Sequence, residues 1–153
     1  MVSNKFNGLA SAKSALILFR NGKPEKSNLT SAIEKMFESQ NIQAFSIGYL
    51  PVKLEKGTEA APGYLYKNQL NWLGNPKEKF VQDLTNNDYD VIIDLDEELE
   101  SPNNFILLSA KAGIRVGINK QKDLYDLTVD KANNTEESMV KEIEFYLKHI
   151  VKA

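Results

Sequence analysis

The sequence predicts an α/β domain: a three-layer, doubly wound and mostly parallel sheet with helices on both faces. Three observations predict it. Apolar runs bounded by turn residues alternate with segments of helical period, the pattern of strand and crossover helix. The clearest runs, ALILF at 15–19 and VII at 91–93, are continuous rather than alternating, which suits strands buried on both faces. The 153 residues are 42% hydrophobic, enough for one domain with a substantial core.

Residues 1–13 are polar and small and read as an N-terminal arm that packs loosely; 14–153 read as a single α/β domain. Ala15–Phe19 is the first strand, broken by Arg20-Asn21-Gly22-Lys23-Pro24. Leu29, Ile33, Met36 and Phe37 then form one face of a helix that ends near Asn41. Ser31 with Glu34 fits a capping box, and Ser27 or Asn28 offers a start one turn earlier. Gln43–Leu50 is the second strand, stopped by Pro51. Residues 52–63 have no apolar period and form a surface loop. Leu65–Leu73 alternates partly and is expected to be a strand with one face on the core.

Asn75-Pro76-Lys77-Glu78 reads as a helix start, with Asn75 as cap, Pro76 in the first turn and Phe80, Val81 and Leu84 as the buried stripe. Tyr89–Asp96 is the strongest strand. Ser101-Pro102 opens a third helix, and Gly113 sits where a left-handed helix terminator belongs. Ile114–Asn119 is a strand and Leu124–Val129 a further short one. The last helix spans Thr135 to Lys152, with its stripe at Met139, Val140, Ile143, Tyr146, Leu147, Ile150 and Val151. The preferred strand order is Rossmann-like, 3-2-1-4-5, with the Leu124 strand at an edge. A flavodoxin-like order is the structural alternative.

Composition excludes many functions. There is no cysteine, which removes disulfides, thiolate metal sites and cysteine nucleophiles. One histidine, His149, removes histidine-rich metal sites, and its place on the last helix suits a residue beside terminal carbonyls. Nineteen basic against 21 acidic residues give a net charge of −2, so no electrostatic case exists for nucleic acid. No apolar run reaches the length of a signal-peptide core or a membrane span, and a cytoplasmic protein with no membrane partner is expected. Between the first strand and its helix lies only Gly22, so neither the dinucleotide fingerprint nor the phosphate loop is present. There is no nucleophile elbow either.

In a doubly wound sheet the default ligand crevice lies beyond the strand ends at the switch point. Here that is where the Leu16 strand meets the Ile92 strand. One side offers Arg20, Asn21, Gly22 and Lys23; the other offers Asp94, Asp96 and Glu97. Asp94-Leu95-Asp96 also fits a pair of hard oxygen ligands for a divalent ion, because alternate strand residues face the same way. The pair supplies too few ligands to define a metal site, and no metal or cofactor is expected. Trp72 reads as a half-buried core residue or a stacking platform. Tyr64 and Tyr66 suit a surface patch or a contact between two copies in a homodimer. Arg115 is expected to pair with a neighbouring strand or to approach the cleft.

Several segments together carry a resemblance: Asn71-Trp72-x-Gly74, Tyr89–Leu95, Leu108–Ala112 with Arg115-Val116-Gly117, and Tyr125-Asp126-Leu127. They resemble an uncharacterised bacterial family of short proteins, a domain of unknown function, over most of the chain after residue 14. More distantly, Tyr89–Val129 is similar to the N-terminal half of heptosyltransferase-type glycosyltransferases. The second similarity implies a two-domain nucleotide-sugar enzyme, and a single such domain is expected not to run that reaction alone. Two functional expectations follow. The first is a non-enzymatic module binding a small polar or anionic ligand or a protein partner. The second is an enzyme or remnant acting on a nucleotide-sugar or sugar phosphate, with Arg20 holding an anion and Asp94 or Asp96 as base or metal ligand.

Overall fold

A computed structural model describes residues 6, 8–118, 122–130 and 135–150. Its sheet has six strands: β1 (Ser14–Arg20), β2 (Gln43–Leu50), β3 (Tyr64–Tyr66), β4 (Asp88–Asp94), β5 (Lys111–Gly117) and β6 (Leu127–Thr128). All neighbours run parallel, in the order β3-β2-β1-β4-β5-β6. This is the Rossmann-like order with an added edge strand. The helices are α1 (Asn28–Ser39), α2 (Lys79–Thr85), α3 (Pro102–Ser109) and α4 (Glu136–His149). Leu16 stands opposite Ile92, so β1 and β4 meet at the centre of the sheet and define the switch point.

The continuous apolar run of β1 serves both faces, as its composition requires. Ala15 and Ile17 join Val91, Ile93, Ile114 and Val116 under α1 and α4. Leu16 and Leu18 join Ile47, Ile92, Ile106 and Leu107 on the face covered by α2 and α3. Each fully buried Leu or Ile contributes about 1.5–3 kcal/mol. The N-terminal arm does not pack loosely throughout: Phe6, Leu9 and Ala12 are buried in the first cluster. Their polar neighbours in sequence mask that apolar spacing.

Helix α1 starts at the earlier of its two expected positions. Ser27 caps it by accepting from the Thr30 amide at 3.1 Å, and Glu34 instead bonds Lys26 and Ser46. Asn41, at φ 61°, turns the chain out of the helix in the left-handed conformation Asn tolerates.

Four expectations fail in this region and beyond. The Leu65–Leu73 strand stops at Tyr66, and a short 3-10 turn takes Lys67–Gln69. The Asn75-Pro76 helix start is not used; α2 begins at Lys79. The cause is one tertiary turn. Leu70 pairs with Pro76 in an antiparallel bridge, the Asn71 amide donates to Asn75 O at 2.8 Å, and the Lys77 amide donates to Gln69 O at 3.2 Å. These bonds hold residues 75–77 in extended chain, so local helix signals lose. Gly113 is no helix terminator but a residue of β5; a Cβ there would lie 2.7 Å from Asp90 O and 3.2 Å from Phe6 Cβ. Trp72 is not a core residue: it is 90% exposed at the tip of the turn.

Among the described residues Arg115 makes no ion pair with a strand carboxylate and lines no cleft. Its Nε and Nη2 donate to Leu107 O (2.8 Å) and Ala110 O (2.6 Å), satisfying carbonyls at the end of α3. His149 is exposed, with Nδ1 2.7 Å from Phe145 O, on the end of α4 as its position implied. The expected strand residue Asn119 and helix residues Val151 and Lys152 lie outside the described residues.

Candidate functional site

The C-terminal ends of β1 and β4 deliver Arg20 and Asp94 side by side, and the chain after β4 folds back on them. The Leu95 amide donates to Leu18 O at 2.7 Å, extending the pairing by one step. The Asp96 amide donates to Asp94 Oδ1 at 3.0 Å, a tight turn closed by the Asp94 side chain. Both carboxylates are thereby brought to the switch point, yet neither is open to solvent: each is 0% exposed.

They hold different partners. Asp94 Oδ2 accepts from Tyr125 OH at 2.6 Å and from Lys122 Nζ at 3.3 Å. Lys122 Nζ also donates to Asp96 O (2.8 Å) and Asn104 Oδ1 (3.1 Å), which satisfies a buried ammonium with three oxygens. Asp96 accepts from Arg20 Nε (3.1 Å), Asn103 Nδ2 (3.1 Å), the Glu98 amide (3.1 Å) and Ser101 Oγ. Burial pushes the Asp94 carboxyl above the usual carboxylate range, opposed by the Lys122 charge and the Tyr125 hydrogen bond. Burial, then the Asp94 charge and hydrogen bond, push the Tyr125 phenol well above its ordinary value.

Asp96 sits where an anion would dock in many doubly wound proteins, at the start of a helix. Ser101 caps α3, and the Asn103 and Asn104 amides donate to Ser101 Oγ (3.2 Å) and Ser101 O (3.0 Å). Pro102 has no N–H to offer. The α3 terminus is therefore closed by the protein's own groups. Asn103 Nδ2 ties Asp96 to β1 by also donating to Phe19 O at 3.0 Å, while its Oδ1 is buried with no partner among the described residues. The two aspartates do not converge on one point. Among the described residues no group of three or more His, Cys, Asp or Glu is placed to hold a metal ion.

Arg20 has a second side. Its guanidinium lies 5.0 Å from the centre of the Tyr49 ring, and its side chain is 27% exposed. Only Nε is engaged among the described residues. The guanidinium faces a cleft of about 440 Å³ lined by Arg20, Tyr49, Leu70, Leu73, Asn75, Glu100, Ser101 and Pro102. Burial raises the Tyr49 phenol above its ordinary value, against the pull of Arg20. A second hollow of about 210 Å³ lies on the other side of Arg20, with apolar walls from Phe19, Leu29, Leu95, Ile118 and Met139 and an acidic rim of Glu97 and Glu136.

The sequence-predicted residues thus separate. Arg20, Asp94 and Asp96 form one network, and Glu97 edges the smaller hollow. Asn21, Gly22 and Lys23 line neither cleft. Asn21 Oδ1 accepts from the Gly22 amide (2.8 Å), Asn21 Nδ2 donates to Glu25 O (2.5 Å), and Lys23 pairs with Glu25 at 3.3 Å. Lys122 is not singled out by the sequence, and Tyr125 reads there as part of the expected Leu124–Val129 strand, because neither has a local signal that ties it to Asp94 far back in the chain. Tyr49 and Glu100 carried no motif; Tyr49 is marked only by its place near the end of β2, opposite Arg20, and Glu100 by its place in the loop after β4.

No helix among the described residues is long and apolar enough to cross a membrane. No curated protein and no solved structure matches the chain. A family model matches residues 2–150, covering both central strands, the closed carboxylate network and the Trp72 turn. The chain belongs to that family, described as a family of unknown function, DUF6913.

Proposed function

We propose that the protein is a non-catalytic binding module that takes a small polar ligand in the Arg20–Tyr49 cleft. One observation carries the reading. Both switch-point carboxylates are buried and engaged by internal donors, whereas Arg20 is part-exposed, lines the cleft and has only Nε engaged among the described residues. A general base must reach the proton it removes, and a metal site needs converging oxygens. Asp94 and Asp96 offer a ligand neither. The arrangement instead fixes Arg20 between a carboxylate and an aromatic face, so it meets a ligand without first losing side-chain freedom.

The glycosyl-transfer reading loses the groups it relied on. Asp96 is the buried support of Arg20, Asp94 is held by Tyr125 and Lys122, and the α3 terminus that would cradle a diphosphate is already capped. The test is thermal unfolding of the wild type and of Arg20→Gln against amino acids, sugar phosphates, nucleotides and nucleotide-sugars. A ligand at about 100 times its Kd stabilises by about 2.7 kcal/mol. At roughly 2–4 °C per kcal/mol for a domain of this size, the shift is readily measured. A shift present in the wild type and lost in Arg20→Gln, with the ligand recovered unchanged, supports the reading. A shift accompanied by conversion of the ligand overturns it.

A further inference from the structure

We infer that the ligand of this cleft is a zwitterion with an apolar body, of the class of free amino acids with large apolar side chains. The inference rests on the cleft reading above and adds the chemistry of the occupant.

The cleft carries opposite charges that do not neutralise each other. Arg20 lines it, and so does Glu100; the ion pair Arg20 makes is with Asp96, and Glu100 pairs with no cation among the described residues. A ligand carboxylate finds the free guanidinium nitrogens, and a ligand ammonium finds Glu100. Leu70, Leu73 and Pro102 add apolar side chains to a lining that Arg20, Tyr49, Asn75, Glu100 and Ser101 make largely polar.

The charge balance decides against a phosphate. Asp96 already offsets much of the Arg20 charge, and Glu97, Glu98 and Glu100 follow on the same loop. A dianion would meet one half-compensated cation in an acidic setting. At the α3 terminus Pro102 has no N–H and the Asn103 and Asn104 amides are taken by Ser101. A singly charged carboxylate needs only the guanidinium fork, and the ammonium turns the acidic loop from a penalty into a contact.

Trp72 stands at the rim. Asn71 Oδ1 accepts from the Leu73 and Asn75 amides (2.9 and 3.1 Å), the Gly74 amide donates to Asn71 O (2.9 Å), and Gly74 adopts φ 82°. This closed turn holds Trp72 at 90% exposure and Leu73 at 62%, beside the cleft that Leu73, Gly74 and Asn75 line. A preorganised turn displaying a bare indole costs little to bind against.

Trp72 is the chain's single tryptophan and is the sequence neighbour of Leu73, which lines the cleft, so its emission is the signal to follow. The experiment titrates L-phenylalanine, N-acetyl-L-phenylalanine and L-phenylalaninamide into the full chain and follows that emission. L-phenylalanine is expected to shift it to the blue and to bind roughly tenfold or more tighter than either derivative, the loss of one charged hydrogen-bonded partner. Glu100→Gln is expected to erase the difference from the N-acetyl compound, and Arg20→Gln the difference from the amide. Glu100 is exposed, so its variant folds as the wild type does. Equal binding of L-phenylalanine and its N-acetyl derivative overturns the inference, as does a preference that survives Glu100→Gln or silence with all three probes. If sugar phosphates in the thermal panel still stabilise through Arg20 in any of those cases, the zwitterion falls and the cleft stands; if the whole panel is also flat, both fall.

Discussion

Asp94, which the sequence offers as a base or metal ligand, meets the buried ammonium of Lys122 in the fold. Both side chains are almost wholly buried, at 0% and 2% exposure. Removing one partner of a buried pair leaves an uncompensated charge, at a cost of about 3–5 kcal/mol. Lys122→Met is expected to lose that much in urea unfolding. The double variant Lys122→Met with Asp94→Asn is expected to lose clearly less than the sum of the single losses, because Tyr125 can still donate to the new amide oxygen. Additive losses would show that the two groups do not act as a pair. The sequence marked Asp94, Asp96 and Arg20 because a switch point follows from strand order. It left Lys122 unmarked, since no local period ties residue 122 to residue 94. Which carboxylate is open to a ligand is decided by such distant partners.

At the scale of elements, legibility tracked how far each signal reaches. The strands β1, β2 and β4 were readable from their apolar runs, because burial on both faces leaves few other ways to place them. The start of α4 was readable from Thr135, and that of α1 only as the earlier of two choices, since Ser31-Glu34 mimics a capping box while Ser27 is the cap; both hydroxyls accept amides within their own first turns. Asn75-Pro76 carried equally good local chemistry and failed, because the Leu70–Pro76 bridge formed across the Trp72 turn. Arg115 gives the matching case for a helix end. It closes α3 from outside, where no glycine terminator exists. Arg115→Met is expected to destabilise by about 1–3 kcal/mol, the cost of unpaired carbonyls at a helix end. Arg115→Lys is expected to recover little, since an ammonium cannot reproduce two forked bonds to separate carbonyls. Equal stability of Arg115→Met and wild type in urea would remove Arg115 from this role.

Over the whole molecule, the same burial that builds the site sets its response to alkali. Burial is the leading cause that raises the phenols of Tyr49, Tyr64, Tyr89 and Tyr125 above the ordinary tyrosine value. In the unfolded chain they ionise near pH 10, while in the fold they stay protonated to higher pH. Above about pH 10 the unfolded state therefore binds fewer protons, and stability falls as pH rises. The contribution is fully present below that pH. Chemical unfolding from pH 8 to 11 is expected to show this decline. Tyr125→Phe is expected to flatten it, since no phenol remains there to ionise. A slope unchanged in Tyr125→Phe would place the alkaline sensitivity elsewhere.

The three scales meet in one arrangement: a parallel sheet whose switch point is closed by its own carboxylates, leaving Arg20 to face a cleft. Amide-resolved NMR of the full chain with L-phenylalanine, followed over days, tests that arrangement most directly. The expected result is saturable shifts at Arg20, Tyr49, Ser101 and the Trp72 indole, a quiet Asp94–Lys122–Tyr125 network, and ligand signals that never change. Shifts centred on Asp94 and Asp96, or the slow appearance of product signals, would contradict the account and return those carboxylates to a catalytic role.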